Sequence, residues 1–128
     1  ILAEAPESRP YVRSVRNLVT QIGVSPDGGR ALVVARGEIF SVPREKGITR
    51  NLSQDSGSRD KDAVWSPDGK QIAFFSDRSG EVDLWLTDPL GKEKPARLTT
   101  HADGYRHGLR WSPDSKKIAF SDQTLTLW

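Results

Sequence analysis

The chain has 128 residues, a length that suits one folding unit of roughly 100 to 150 residues. Lys and Arg number 19 against 17 Asp and Glu. A net charge of +2 spread through the chain offers no clustered basic face for nucleic acid. No apolar run reaches the roughly 18 residues of a membrane-spanning helix, and the absence of cysteine excludes a disulfide framework and a thiolate nucleophile.

Residues 1–17 read as a linker, Ala5-Pro6-Glu7-Ser8-Arg9-Pro10, followed by a lone strand over 11–15. From there the chain repeats. Val24-Ser25-Pro26-Asp27-Gly28, Trp65-Ser66-Pro67-Asp68-Gly69 and Trp111-Ser112-Pro113-Asp114-Ser115 share one pattern, spaced a little over forty residues apart. Each is followed by an apolar run: Ala31-Leu32-Val33-Val34-Ala35, Ile72-Ala73-Phe74-Phe75 and Ile118-Ala119-Phe120. Alternating segments follow at Glu38-Ile39-Phe40-Ser41-Val42, Val82-Asp83-Leu84-Trp85-Leu86 and Leu125-Thr126-Leu127-Trp128, and two copies close on Arg50-Asn51-Leu52-Ser53 and Arg97-Leu98-Thr99-Thr100.

Period-2 alternation with β-branched and aromatic residues between regular turns predicts strands, four to a unit. Helix is expected at most as a short piece near Asn17 or within 56–60. In the turn, Pro sets φ near −65°, Asp suits the third position, and Gly takes the left-handed site of a bulged hairpin. Ser115 stands where the other two copies have Gly, at a cost of about 1 kcal/mol if its φ is positive.

Four-stranded units of this length resemble the blades of a β-propeller. The expected fold is all-β: about three antiparallel blades forming a partial or open ring. Residues 18–53 make blade one, 54–100 blade two and 101–128 an incomplete blade three. The W-S-P-D-G-K-x-I-A-F core resembles the WD-like repeat of the TolB, tricorn and prolyl-oligopeptidase groups. Ala35-Arg36-Gly37-Glu38-Ile39-Phe40-Ser41-Val42-Pro43-Arg44-Glu45-Lys46-Gly47 followed by Arg50-Asn51-Leu52 looks like the propeller region of tricorn-type serine peptidases. That resemblance implies a noncatalytic module that handles or gates peptides and supports assembly. The alternatives are a TolB-like interaction propeller of the cell envelope and the propeller gate of a prolyl-oligopeptidase-like enzyme. The compartment implied is the cytoplasm, or the periplasm for a TolB-like protein or one with a signal peptide. Both chain ends look cut, at Ile1 and at Trp128, so the expected parent is longer, a serine peptidase whose catalytic residues lie outside the propeller.

No catalytic set emerges from the residues themselves. Nucleophilic catalysis needs a Ser or Cys beside an oriented base, yet Ser25, Ser66 and Ser112 recur in turns and only His101 and His107 supply imidazole. Asp27, Asp68 and Asp114 recur with the fold and read as turn residues. His101, Asp103 and His107 have the chemistry of a metal site, but a solvated loop is the simpler reading, and no metal or cofactor is expected. The incoming loop of the second unit, 54–62, lacks the spacing of a calcium loop and reads as hydrated surface. The stretch 100–108 enters the third unit as 54–62 enters the second, at a blade junction expected to face one mouth of the propeller; if peptides or a protein partner dock there, Arg59, Asp62, Tyr105, Arg106 and His107 are the expected contacts. The four tryptophans fall at repeated positions and read as filling between blades. Three open blades would leave apolar flanks, so self-association is expected, with two copies completing a ring or 11–15 supplying an outer strand.

Overall fold

The computed structural model describes residues 19–54, 57–99, 106–122 and 127, with the backbone alone for Arg106, His107 and Asp122. Its regularity begins in the turns. In each, the residue after Asp donates its N–H to the turn serine's carbonyl: Gly28 to Ser25, Gly69 to Ser66 and Ser115 to Ser112, all at 2.9 Å. The serine hydroxyl donates to the turn aspartate (2.7, 2.6 and 2.6 Å) and accepts the N–H that opens the next strand, from Arg30, Gln71 and Lys117. This explains why Ser and Asp recur together, and why those serines are turn-closing groups. The closing residue is left-handed in all three copies, with φ of 72° at Gly28, 73° at Gly69 and 63° at Ser115. Ser115 therefore does carry the strain that its sequence implies.

Between the turns lie β1 (Val19–Val24), β2 (Arg30–Ala35), β3 (Glu38–Pro43) and β4 (Arg50–Asn51), then β5 (Asp60–Trp65), β6 (Ile72–Ser76), β7 (Asp83–Thr87) and β8 (Ala96–Arg97), then β9 (Arg106–Trp111) and β10 (Ile118–Asp122). They form sheets ordered β1-β2-β3-β4, β5-β6-β7-β8 and β9-β10, antiparallel throughout. The described residues contain no helix; 57–60 run straight into β5, which corrects the short helix expected there, while Asn17 lies outside the described residues, as does the lone strand over 11–15. In the third unit a single bridge between Ser121 and Leu127 marks the position of the expected third strand. Among the described residues no sheet closes on itself, and the sheets follow one another as successive blades.

Sheet alternation builds two separate cores. Leu32, Val34, Ile39 and Leu52 of the first sheet meet Ala63, Ile72 and Phe74 of the second, with Trp65 and Trp85 packed against them. On the other face of the second sheet, Ala73, Phe75 and Leu84 meet Leu109 and Phe120, with Trp111 alongside. Phe75 and Phe120 meet edge to face at 5.8 Å. β6 is consequently buried at every position. The tryptophans sit between blades as expected, and the Trp111 indole N–H donates to the Val64 carbonyl of the neighbouring sheet at 3.2 Å. Trp128 lies outside the described residues.

Candidate functional site

A polar cleft opens between the first two sheets where β1 and β5 begin. Its volume is about 460 Å³, and Thr20, Gln21, Arg36, Gly37, Arg59, Asp60, Lys61 and Asp62 line it. The two-residue turn between β2 and β3 has positive φ at both positions, 57° at Arg36 and 77° at Gly37, the geometry whose twist suits a tight hairpin. A Cβ on Gly37 would fall 3.3 Å from the Arg59 Cα. Glycine thus lets the first sheet's turn press onto the second, where the Gly37 carbonyl accepts the Asp60 N–H at 2.8 Å. That approach brings Arg36 and Arg59 to one cleft.

β5 supplies the acidic wall through a bulge. The pairing steps from Lys61↔Phe75 to Val64↔Ala73, so Asp62 and Ala63 together oppose Phe74. Asp62 is left-handed, with φ 54°. The corresponding bulge in β9 puts Gly108 at φ 73°. Asp62 therefore occupies a position at which the third sheet uses glycine, and a bulge of this kind re-aims a side chain. The groups it frees are captured: Gln21 Nε2 donates to the Ala63 carbonyl, and Gln21 Oε1 accepts the Ala63 N–H, both at 2.9 Å.

The lining charges divide into committed and free. Asp60 is buried, and Arg78 Nη2 donates to it at 2.8 Å. Burial pushes the Asp60 carboxyl above its usual range despite hydrogen bonds from Ser53 and Ser76 and the Arg78 charge. The Arg78 guanidinium lies 5.3 Å from the Phe74 ring centre and 5.1 Å from that of Trp85, close enough for cation–π attraction to both. This corrects the expectation of a purely hydrated loop over 54–62: its end is anchored in the core. Lys61 sits 6.0 Å from the Phe75 ring centre. Arg36, Arg59 and Asp62 remain, and their charged groups have no hydrogen bond or ion pair among the described residues.

Arg59 and Asp62 are thus brought to one cleft. Tyr105 lies outside the described residues, as do His101 and Asp103. Arg106 and His107 are placed by backbone at the start of β9, paired with Asp122 and Ser121; their side chains lie outside the described residues. Among the described residues no group of three His, Asp or Glu gathers around a metal position. Sequence reasoning did not single out Arg36 or Gln21. For Arg36, an arginine directly before glycine between two apolar segments was the available signal. Gln21 gave none.

No protein-family profile matches the chain. It is 35% identical, in an alignment 114 positions long that covers 78% of this chain and 16% of that one, to the uncharacterised peptidase YuxL of Bacillus subtilis (strain 168). Among solved structures, TolB from Acinetobacter baumannii superposes with a TM-score of 0.61 at 27% identity, covering 83% of this chain and 30% of that one. A puromycin-hydrolysing peptidase of Mycobacterium tuberculosis superposes with a TM-score of 0.61 at 14% identity, covering 85% of this chain and 21% of that one. The chain is built of β-propeller blades. Such blades occur both in TolB and in peptidases, so the fold is shared while the chemistry of each larger protein is its own. In blade terms the cleft lies between blades one and two, at the rim where their first strands enter.

Proposed function

We propose that these blades form the noncatalytic propeller part of a peptidase and handle its peptide substrates, with the cleft of Arg36, Arg59 and Asp62 as a contact. The finer reading is a tricorn-type serine peptidase. The observation that carries the proposal is the set of uncommitted charges. Two guanidinium groups and one carboxylate face a single interblade cleft, and such groups recognise the carbonyls, carboxylates and N–H groups of an extended peptide. The similarity to a peptidase along most of the chain supports it. On this reading Tyr105, Arg106 and His107 are further peptide contacts.

The test is peptide binding by calorimetry with mixed-sequence peptides. Replacing Arg59 with Gln or Asp62 with Asn should weaken binding about tenfold each, the loss expected for one charge-assisted hydrogen bond. Unchanged affinity in both would refute the assignment of this cleft. The 27% identity to TolB supports a second reading, a protein-docking propeller of the cell envelope. A coding sequence that continues into no peptidase segment would favour that reading over the first.

A further inference from the structure

A second cleft, of about 400 Å³, lies between the same two blades at the opposite ends of their strands. Its apolar lining comes from Pro26, Trp65, Pro89 and Leu90, and Asp27 and Asp68 of two successive turns stand beside them. The turns fix both carboxylates. Asp27 Oδ1 accepts from the Ser25 hydroxyl at 2.7 Å and the Gly29 N–H at 2.8 Å; Asp68 Oδ1 accepts from the Ser66 hydroxyl at 2.6 Å and the Lys70 N–H at 3.0 Å. In each case Oδ2 makes no hydrogen bond or close ion pair among the described residues. The serine and backbone hydrogen bonds hold both carboxyls below their usual range. Two cations bear on the cleft: Arg30 lines it and keeps its charge while donating to the Ser41 hydroxyl and to the Ser41 and Ile48 carbonyls, and the Lys70 charge acts on Asp68.

Two oriented anions over an apolar lining select a particular complement. An anion is repelled, and a neutral apolar group would strip water from the carboxylates without replacing it. A basic side chain satisfies both parts, because its hydrocarbon stem packs on apolar surface while its charged head stays polar. We propose that this cleft docks an exposed arginine or lysine of a protein partner, its stem against Trp65 and Leu90 and its head at the free oxygens of Asp27 and Asp68. Leu90 is 40% exposed and carries the apolar surface outward from the cleft, so the occupant extends beyond it. That fits a side chain borne on a larger surface, and arginine and tryptophan are the residues on which interfaces concentrate binding energy.

The decisive experiment titrates the 128-residue chain with the capped peptide N-acetyl-Leu-Arg-Leu-amide and with its citrulline counterpart, which has the same shape without the charge. Amide NMR shifts report where each binds. The arginine peptide should shift the Trp65 indole and the Asp27 and Asp68 amides, and bind at least about tenfold more tightly than the citrulline peptide. Changing Asp27 and Asp68 together to Asn keeps an Oδ1 acceptor for each turn, so the fold should survive, as an unchanged melting temperature would verify, while the preference for arginine disappears. Asp114→Asn, in the third turn, should leave binding unaltered. Equal binding of the two peptides, a preference that survives the double substitution, or shifts confined to other residues would overturn the proposal. So would methylguanidinium binding as tightly as the peptide, which would indicate a small-cation site. These residues share nothing with the cleft of Arg36, Arg59 and Asp62, so either assignment can fail without the other.

Discussion

Two side chains show how single residues set the balance of this fold. Ser115 carries a left-handed backbone, yet its hydroxyl accepts the Asp68 N–H of the neighbouring turn at 3.0 Å. Ser115→Gly relieves about 1 kcal/mol of backbone strain and gives up a hydrogen bond of about the same worth, so urea denaturation should find it near neutral. Ser115→Ala loses the bond and keeps the strain, and should destabilise by about 1 kcal/mol. Asp60 makes the second case. Its raised folded value means that the folded chain holds this proton more readily than the unfolded one. Its contribution is therefore greatest below the unfolded value and is lost as pH rises through the folded value. Asp83 and Asp88 behave oppositely. Burial would raise both, but hydrogen bonds from Thr99, Arg97 and Ser79 to the first, and from backbone N–H groups of Glu93, Lys92 and Leu90 to the second, hold them below the usual range. Their stabilisation is present above the unfolded value and is lost as pH falls through the folded one. Melting temperature should accordingly drop between about pH 6 and about pH 3, and the drop should be steeper in Asp60→Asn, which lacks a group working the other way. At neutral pH the same substitution leaves Arg78, with a side chain only 10% exposed, without its counter-charge, at a cost of about 3 kcal/mol.

At the scale of strands and sheets, the repeat made most of the fold legible. Turn chemistry that recurs with fixed spacing announces a hairpin, and the apolar run after each turn announces the blade's central strand. Bulges were not legible. Asp62 and Gly108 occupy the same bulge position in β5 and β9, but they differ in residue type, and their left-handed backbone follows from sheet pairing that no local pattern records. Gln21 was hidden for the same reason, since its partner Ala63 lies 42 residues away. Asp27 and Asp68 were read correctly as turn residues, although repetition by itself could not show that one oxygen of each is left over. The Gln21 amide takes up the backbone groups of Ala63 that the β5 bulge turns away from β6, and so ties the first strands of the two blades together. Gln21→Ala should leave the Ala63 N–H and carbonyl unpaired and cost about 2 kcal/mol. Hydrogen exchange at Ala63 should accelerate with it; an amide as protected as before would show that the blades hold their inner edges by packing alone.

Across the whole molecule, the two ends of the blade run are unlike its middle. Ala63 and Trp65 lie in the first interblade core, whereas the matching positions of β1, Ile22 and Val24, are 69% and 66% exposed. Among the described residues nothing covers this apolar flank of blade one, which is of the kind that a neighbouring blade buries. The chain by itself should associate in a concentration-dependent way, and the double substitution Ile22→Thr and Val24→Thr should shift sedimentation toward the monomer without lowering the melting temperature. Blade two experiences the opposite situation, and its central strand β6 faces a core on both sides. Along that strand the parity of a position decides which neighbour depends on it. Damage at Ile72 or Phe74 loosens the joint with blade one, and damage at Ala73 or Phe75 loosens the joint with blade three. A saturation scan of these four positions, read by fragment-specific proteolysis, should fall into two alternating classes, a record of both interblade seams written in a single strand.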